Sequence, residues 1–319
     1  MNTWILNTHG DPLGALHGFL KQIWEKAGLD ALIVSANGHL VIDSPDELDE
    51  VNPFRPVMRI NTARLIPQIM EQRADQKMGV LLRPCELRAL DELSRRNAVD
   101  EESLLTICVD CLGTYSTEDY DWRADRKGSS RGLTKEALKF AMQGGINTYR
   151  YRPACQMCAN PGATDAEVNV GVLGLPVRQN MLVTTPDGHL DWDALTNGAA
   201  DETLRLKHDQ MLAKIRERGE ETRERLLKSM DATLPHNVDD LIEQFQSCEA
   251  CQDCANVCPI CAIDHPRRVD DGRYDREDLI NWLLSCAGCG MCEQACPKHI
   301  PLSTIFAHIR ETMAAELAA

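Results

Sequence analysis

The 319 residues are 43% hydrophobic and 26% charged, the balance of a globular chain long enough for about two domains. A formal net charge of −15 sets the surface against nucleic acid, whose phosphates it would repel. No apolar run approaches the ~20 residues that span a bilayer, and MNTWILNTHGDP has neither the basic nor the apolar segment of a secretory signal, so a cytoplasmic protein without a membrane span is expected.

Residues 1–195 read as an α/β domain. Asp11-Pro12 opens a helix in which Leu16, Phe19, Leu20, Ile23, Trp24 and Ala27 recur at helical spacing, and Gly28 closes it. The runs 31–34, 79–82 and 104–109 are short, apolar and β-branched, as buried strands are, with helix-like stretches between them. That alternation implies a largely parallel sheet, to which 168–172 and 181–184 add strands. Residues 196–246 read as a charged helical connector: Glu202 to Met230 is nearly all helix formers and charges, interrupted by Gly219. Such a stretch is a solvated connector or, alternatively, a partner-docking surface. Pro235 ends it, and a short helix from Val238 to Phe245 leads into residues 247–319. This last segment reads as a ferredoxin-like α+β domain closed by an apolar-periodic tail from Leu302 to Leu317.

Cysteine spacing carries the chemistry. Two copies of CxxCxxCxxxCP occur, at Cys248, Cys251, Cys254 and Cys258-Pro259, then at Cys286, Cys289, Cys292 and Cys296-Pro297. This is the two-cluster bacterial ferredoxin pattern, in which a tight turn supplies three thiolates to a 4Fe-4S cluster and the remote fourth ligates the other cluster. One cluster is therefore assigned to Cys248, Cys251, Cys254 and Cys296, and the second to Cys286, Cys289, Cys292 and Cys258. Zinc knuckles would use two CxxC pairs per metal and have no use for the Cys-Pro ends.

Cys85, Cys108, Cys111, Cys155, Cys158 and Cys261 lie outside that count. Cys85 follows one expected strand, at the amino end of a helix where the dipole favours a thiolate, and Cys111 follows the next. In a parallel sheet both would face the carboxyl edge, where ligands bind. Cys155 and Cys158 form a CxxC between Pro153 and Gly162, so four thiolates converging there would bind a third cluster; a redox dithiol or a zinc site are the alternatives. Cys108, inside an apolar strand, reads as a small core hydrophobe. The nine histidines show no metal-binding pair spacing and read as ordinary surface or core residues.

The blocks VLLRPCELRAL, VDCLGTY, RPACQMC, CEACQDCANVCPICAI and SCAGCGMCEQACPKHIPLSTIF, in that order, resemble the beta subunit family of coenzyme F(420)-reducing hydrogenases and F(420)-dependent formate dehydrogenases. The resemblance implies a flavin (FAD) and a 4Fe-4S cluster in the α/β domain, the latter held by Cys85, Cys111, Cys155 and Cys158 with Cys108 in reserve. It further implies a catalytic formate dehydrogenase or hydrogenase partner subunit and a soluble electron carrier. Many members read GTPC where this chain reads Leu82-Arg83-Pro84-Cys85, the amino-terminal glycine-rich segment is reduced to Gly10-Asp11-Pro12-Leu13-Gly14, and no GxGxxG is present. Arg83, a cation suited to a pyrophosphate, and the small pair Gly113-Thr114 are the expected flavin contacts. The function expected is an iron-sulfur flavoprotein electron-transfer subunit; a flavin-free relay between larger redox complexes, such as a heterodisulfide-reductase-type partner, is the alternative.

Overall fold

The computed structural model describes residues 2–36, 39–127, 129–142, 150–186, 190–246, 248, 251–269 and 272–318, with side chains left aside at 35–36, 39–40 and 315–318. Of the nine histidines, His189 and the side chain of His39 thus lie outside the described residues.

Seven strands form one sheet: β1 (Asn2–Asn7), β2 (Ala31–Ala36), β3 (His39–Ile42), β4 (Met78–Leu82), β5 (Leu104–Val109), β6 (Val168–Gly171) and β7 (Asn180–Thr185), in the order β1-β7-β6-β5-β4-β2-β3. The four central strands β2, β4, β5 and β6 run parallel, while β7, β1 and β3 pair antiparallel at the two sides. The expected strands are present, and β1 and β3 add edges to them. Each edge strand is secured by a neighbour remote from its own local pattern or by a tight return, so its six or four residues carry little signal alone.

Helices cover both faces. Pro12–Ala27 begins at Asp11, whose side chain accepts from the Gly14 N–H, and ends at Gly28 in the left-handed region at φ 63°. It buries Leu16, Phe19, Leu20, Ile23 and Trp24 on the sheet, each such side chain contributing ~1.5–3 kcal/mol by leaving water. On the opposite face Pro84–Arg95 packs Leu87, Leu90 and Leu93 against Val80, Leu82 and Cys108. Cys108 is fully buried there, a core residue.

Glu202–Met230 is one continuous helix, and Gly219 does not interrupt it. His208, Ile215, Gly219 and Thr222, spaced by seven, four and three, are its buried stripe. The stripe lies across the carboxyl edge of the sheet rather than in solvent: Ile215 packs with Ala141 and Leu173, and a side chain at Gly219 would meet the Cys158 carbonyl oxygen at 2.7 Å. Gly219→Ala would stabilise an isolated helix by ~1 kcal/mol. Here it should instead lower the melting temperature and the iron content, by lifting the helix off the Cys155–Cys158 turn; an unchanged or raised melting temperature in calorimetry would contradict that.

The carboxyl-terminal segment has its own core, where Phe245, Tyr274, Trp282 and Phe306 interlock with Leu279, Leu283, Ile305 and Ile309. It is chiefly helical among the described residues, with a bridge between Arg268 and Tyr274. Ile260 and Ala287 cross into the core beneath Pro84–Arg95, so the segment is packed against the sheet unit. Among the described residues no helix is long and apolar enough to cross a membrane.

Candidate metal centre

Strand ends at the carboxyl edge build the first site. β4 runs out at Leu82; Arg83 then starts the helix, Pro84 fills the position whose N–H needs no partner, and the Glu86 carboxylate accepts from the Arg83 N–H at 2.9 Å. Cys85 is thereby fixed in the first turn. β5 runs out at Val109, and the Cys111 N–H donates to the Pro161 carbonyl at 2.8 Å. Tyr115 bridges to Tyr151, their rings meeting edge-on at 4.8 Å, which clamps the 111–115 loop to the turn carrying Cys155 and Cys158. One cavity results, lined by Cys85, Cys111, Cys155 and Cys158, and also by Gly288 and Cys289 of the carboxyl-terminal segment.

Backbone amides are aimed at these sulfurs. Cys111 accepts from the Gly113 N–H and Cys158 from the Asn160 N–H, in each case two residues on. The same offset recurs in the carboxyl-terminal runs: Cys258 with Ile260, Cys286 with Gly288, and Cys289 with Met291. Turns that present an N–H to sulfur stabilise a thiolate. Burial works the other way, pushing the Cys85, Cys158 and Cys286 thiols up, and Cys111 and Cys289 up to about 12. Thiolates here therefore need positive charge of the kind a coordinated metal supplies.

Arginines supply part of it. Arg88 donates to the Ala287 carbonyl at 3.2 Å and the Asn160 carbonyl at 3.2 Å, stitching the helix to both cysteine loops, and it lowers Cys85 and Cys158. Arg83 donates to the Arg55 carbonyl at 2.8 Å, has a buried Nη1 with no hydrogen-bond partner, and lowers Cys111. Arg152 is buried against Cys155. Three cations around four sulfurs suit a centre of net negative charge.

In the carboxyl-terminal segment the short helices Asp253–Asn256 and Met291–Ala295 carry the third cysteine of each run. Each is preceded by a residue in the left-handed region, Gln252 at φ 63° and Gly290 at φ 69°. The Cys254 thiol is pushed up to about 11 by burial and by the nearby Cys248, Cys251 and Cys296. Cys258 instead neighbours Cys286, Cys289 and Cys292. Cys292 has both Cys258 and Cys254 near it, so the two runs lie side by side. Cys258 is held down at about 6, first by the Cys261 thiol donating to it and further by the Ile260 and Cys261 amides and the Trp282 side chain. Cys261, buried beside Cys258, is a donor to that sulfur. Among the described residues no three Cys, His, Asp or Glu donors are close enough to share a single metal ion.

Of the expected flavin contacts, Gly113 lines the amino-domain cavity, while Arg83 and Thr114 each adjoin a lining residue in the chain. Gly113 sits at φ 81° with its Cα against the Tyr151 ring; Thr114 is buried, its hydroxyl engaged by the Arg152 guanidinium at 2.9 Å and by Cys155 Sγ at 3.2 Å. Arg83, for its part, is held on the Arg55 carbonyl at 2.8 Å. Arg88, Arg152 and the buried pair Asp110–His208 are the site residues that sequence patterns did not single out. For His208 the helical stripe with Ile215, Gly219 and Thr222 was the available signal.

Residues 247–300 match the 4Fe-4S dicluster domain family. The chain is 25% identical over 227 residues to the beta subunit of F(420)-dependent formate dehydrogenase 1 of Methanococcus maripaludis, covering 60% of this chain and 56% of that relative. The chain therefore carries a ferredoxin-like 4Fe-4S segment after a mixed α/β unit, and its resemblance to beta-subunit-type proteins is borne out.

Proposed function

We propose that the chain is the iron-sulfur electron-transfer subunit of a formate dehydrogenase or hydrogenase complex. It would pass electrons between a catalytic partner subunit and a soluble carrier such as F(420). Two clusters would be held by the crossed cysteine groups of the carboxyl-terminal segment, and a third by Cys85, Cys111, Cys155 and Cys158. The observation that supports this reading most is that Cys289, from the second ferredoxin-type run, lines the same cavity as those four cysteines. When bound, 4Fe-4S clusters accept and release one electron at a time. The polypeptide's part is to hold the sulfurs in sequence, bury them from water, and tune them with amide and guanidinium hydrogen bonds.

Anaerobic purification of the chain tests this directly. About twelve irons with matching acid-labile sulfide are expected per chain, falling by about four in Cys85→Ala. About eight irons in the wild type, unchanged by Cys85→Ala, would remove the third cluster, and colourless protein free of sulfide would remove the proposal. Transfer to a two-electron carrier calls for a group able to take electrons singly and pass them in pairs, as flavins do. The engagement of Arg83 by the Arg55 carbonyl and of Thr114 by Arg152 and Cys155 favours a second reading, a flavin-free relay between two larger complexes. Extracted flavin near one per chain would decide for the first, and its absence beside full iron for the second.

A further inference from the structure

Arg152 occupies a place that charge alone does not explain. It is 6% exposed. Its Nε donates to Thr114 Oγ1 at 2.9 Å, its Nη1 reaches Met291 Sδ at 3.4 Å, and its Nη2 lies 3.7 Å from Met58 Sδ and 3.8 Å from Cys155 Sγ. None of these partners is a carboxylate. Glu293 acts on it from farther off, with its own carboxylate accepting the Ser303 N–H at 2.8 Å.

A guanidinium keeps its charge under all ordinary conditions, and removing it from water carries a heavy desolvation cost unless an anion compensates. A hydroxyl and two thioethers are neutral and, in the case of sulfur, weak acceptors. Besides Glu293, the groups that act on the Arg152 charge are the Cys155, Cys289 and Cys85 sulfurs, of which Cys155 Sγ lies 3.8 Å from Nη2. Two of these belong to the amino-domain site and one to the second ferredoxin-type run. Met291 stands between Cys289 and Cys292, so the planar fork spans from one cysteine group to the other.

We propose that Arg152 is the charge bridge between the amino-domain cluster and the Cys289 side of the ferredoxin-type pair, holding the amino-domain cluster at a higher potential than its burial alone would allow. This rests on the reading that Cys85, Cys111, Cys155 and Cys158 hold a cluster. The step it would serve is a one-electron transfer between bound clusters, the electron supplied by the catalytic partner's donor and passed on to the carrier. No covalent bond forms or breaks, and the guanidinium stays protonated throughout. Each added electron brings negative charge nearer a fixed cation, which favours the reduced state. Arg152 is thus a positioning and tuning residue, not a catalytic one.

The test is an anaerobic reductive titration followed by electron paramagnetic resonance, with iron and acid-labile sulfide counted in the same samples of wild type, Arg152→Gln and Arg152→Lys. The expected result is wild-type iron in both variants, a lower midpoint potential for the amino-domain cluster in Arg152→Gln, and a potential closer to wild type in Arg152→Lys. Wild-type iron with an unmoved potential in Arg152→Gln would overturn the proposal. If Arg152→Gln loses the amino-domain iron, Arg152→Lys decides: iron and potential retained support the bridge, and iron lost in both assigns the side chain to folding and overturns it. About eight irons in the wild type itself would instead sink the third-cluster reading on which the proposal stands.

Discussion

Cys258→Ser should remove the cluster gathered by Cys286, Cys289 and Cys292, taking about four irons with it, and leave the one gathered by Cys248, Cys251, Cys254 and Cys296 in place. The expectation runs against sequence proximity, since Cys258 is four residues from Cys254 and far along the chain from Cys286. Its ground is that the short helices Asp253–Asn256 and Met291–Ala295 pack together, which sets the two runs against one another. The Cys258 sulfur acts on Cys286, Cys289 and Cys292, while Cys296 acts on Cys254. A serine hydroxyl ionises far less readily than this thiol, which its donors hold at about 6. Because Cys289 also lines the amino-domain cavity, the same variant should cut electron transfer through the whole chain while the remaining clusters still take up electrons at their own potentials. Electron paramagnetic resonance distinguishes the cases, and loss of the Cys248-side signal with the Cys286-side signal retained would refute crossed ligation.

What the sequence makes legible is what local chemistry fixes. LRPCELRAL reads as a buried strand followed by a helix with Cys85 at its amino end, and the structure has both; the Glu86 carboxylate on the Arg83 N–H and Pro84 at the first helical position are how that start is built. The central strands and the helix from Pro12 were equally plain, because their apolar periodicity and caps are written within a few residues. The long helix shows the limit. Its charges outnumber its apolar residues, so composition points to water, yet four positions at helical spacing suffice to dock it on the cysteine turn. Gly219 looked like an interruption because a glycine lowers helix propensity; its reason is the approach of the Cys158 carbonyl, a contact made across 61 positions of chain and invisible to any local pattern. Arg83 shows the same limit. A cation beside a strand end fits a pyrophosphate or a cluster equally well in one dimension, and its contact with the Arg55 carbonyl and its effect on Cys111 come from parts of the chain no local pattern includes.

Asp110→Ala is expected to cost ~3–5 kcal/mol of stability, the range for unpairing a buried charge, and to lower iron at the amino-domain site. Asp110 directly precedes Cys111 and is completely buried. One oxygen accepts the Ala163 N–H at 2.8 Å, and the other accepts the Val172 N–H at 2.7 Å, the Leu173 N–H at 2.9 Å and His208 Nε2 at 2.8 Å. A single carboxylate therefore ties the end of β5 to the loops on either side of β6 and to the long helix. His208→Ala should cost less, ~1.5–3 kcal/mol, because the three backbone donors still satisfy the carboxylate. Its pH dependence identifies the pair. Burial opposes both charges, but His208 holds the Asp110 carboxyl below its ordinary 3.8, and Asp110 holds the His208 imidazole above its ordinary 6.5. The histidine's contribution is then fully present below pH 6.5 and is lost as pH rises through its raised folded value. The aspartate's contribution is present above pH 3.8 and is lost as pH falls through its lowered one. The penalty of His208→Ala should be large at about pH 5.5 and shrink by about pH 9. Anaerobic thermal melts of both proteins at the two pH values check this: a penalty that is the same at both, or larger at the alkaline one, would mean that His208 serves the fold as a neutral ring.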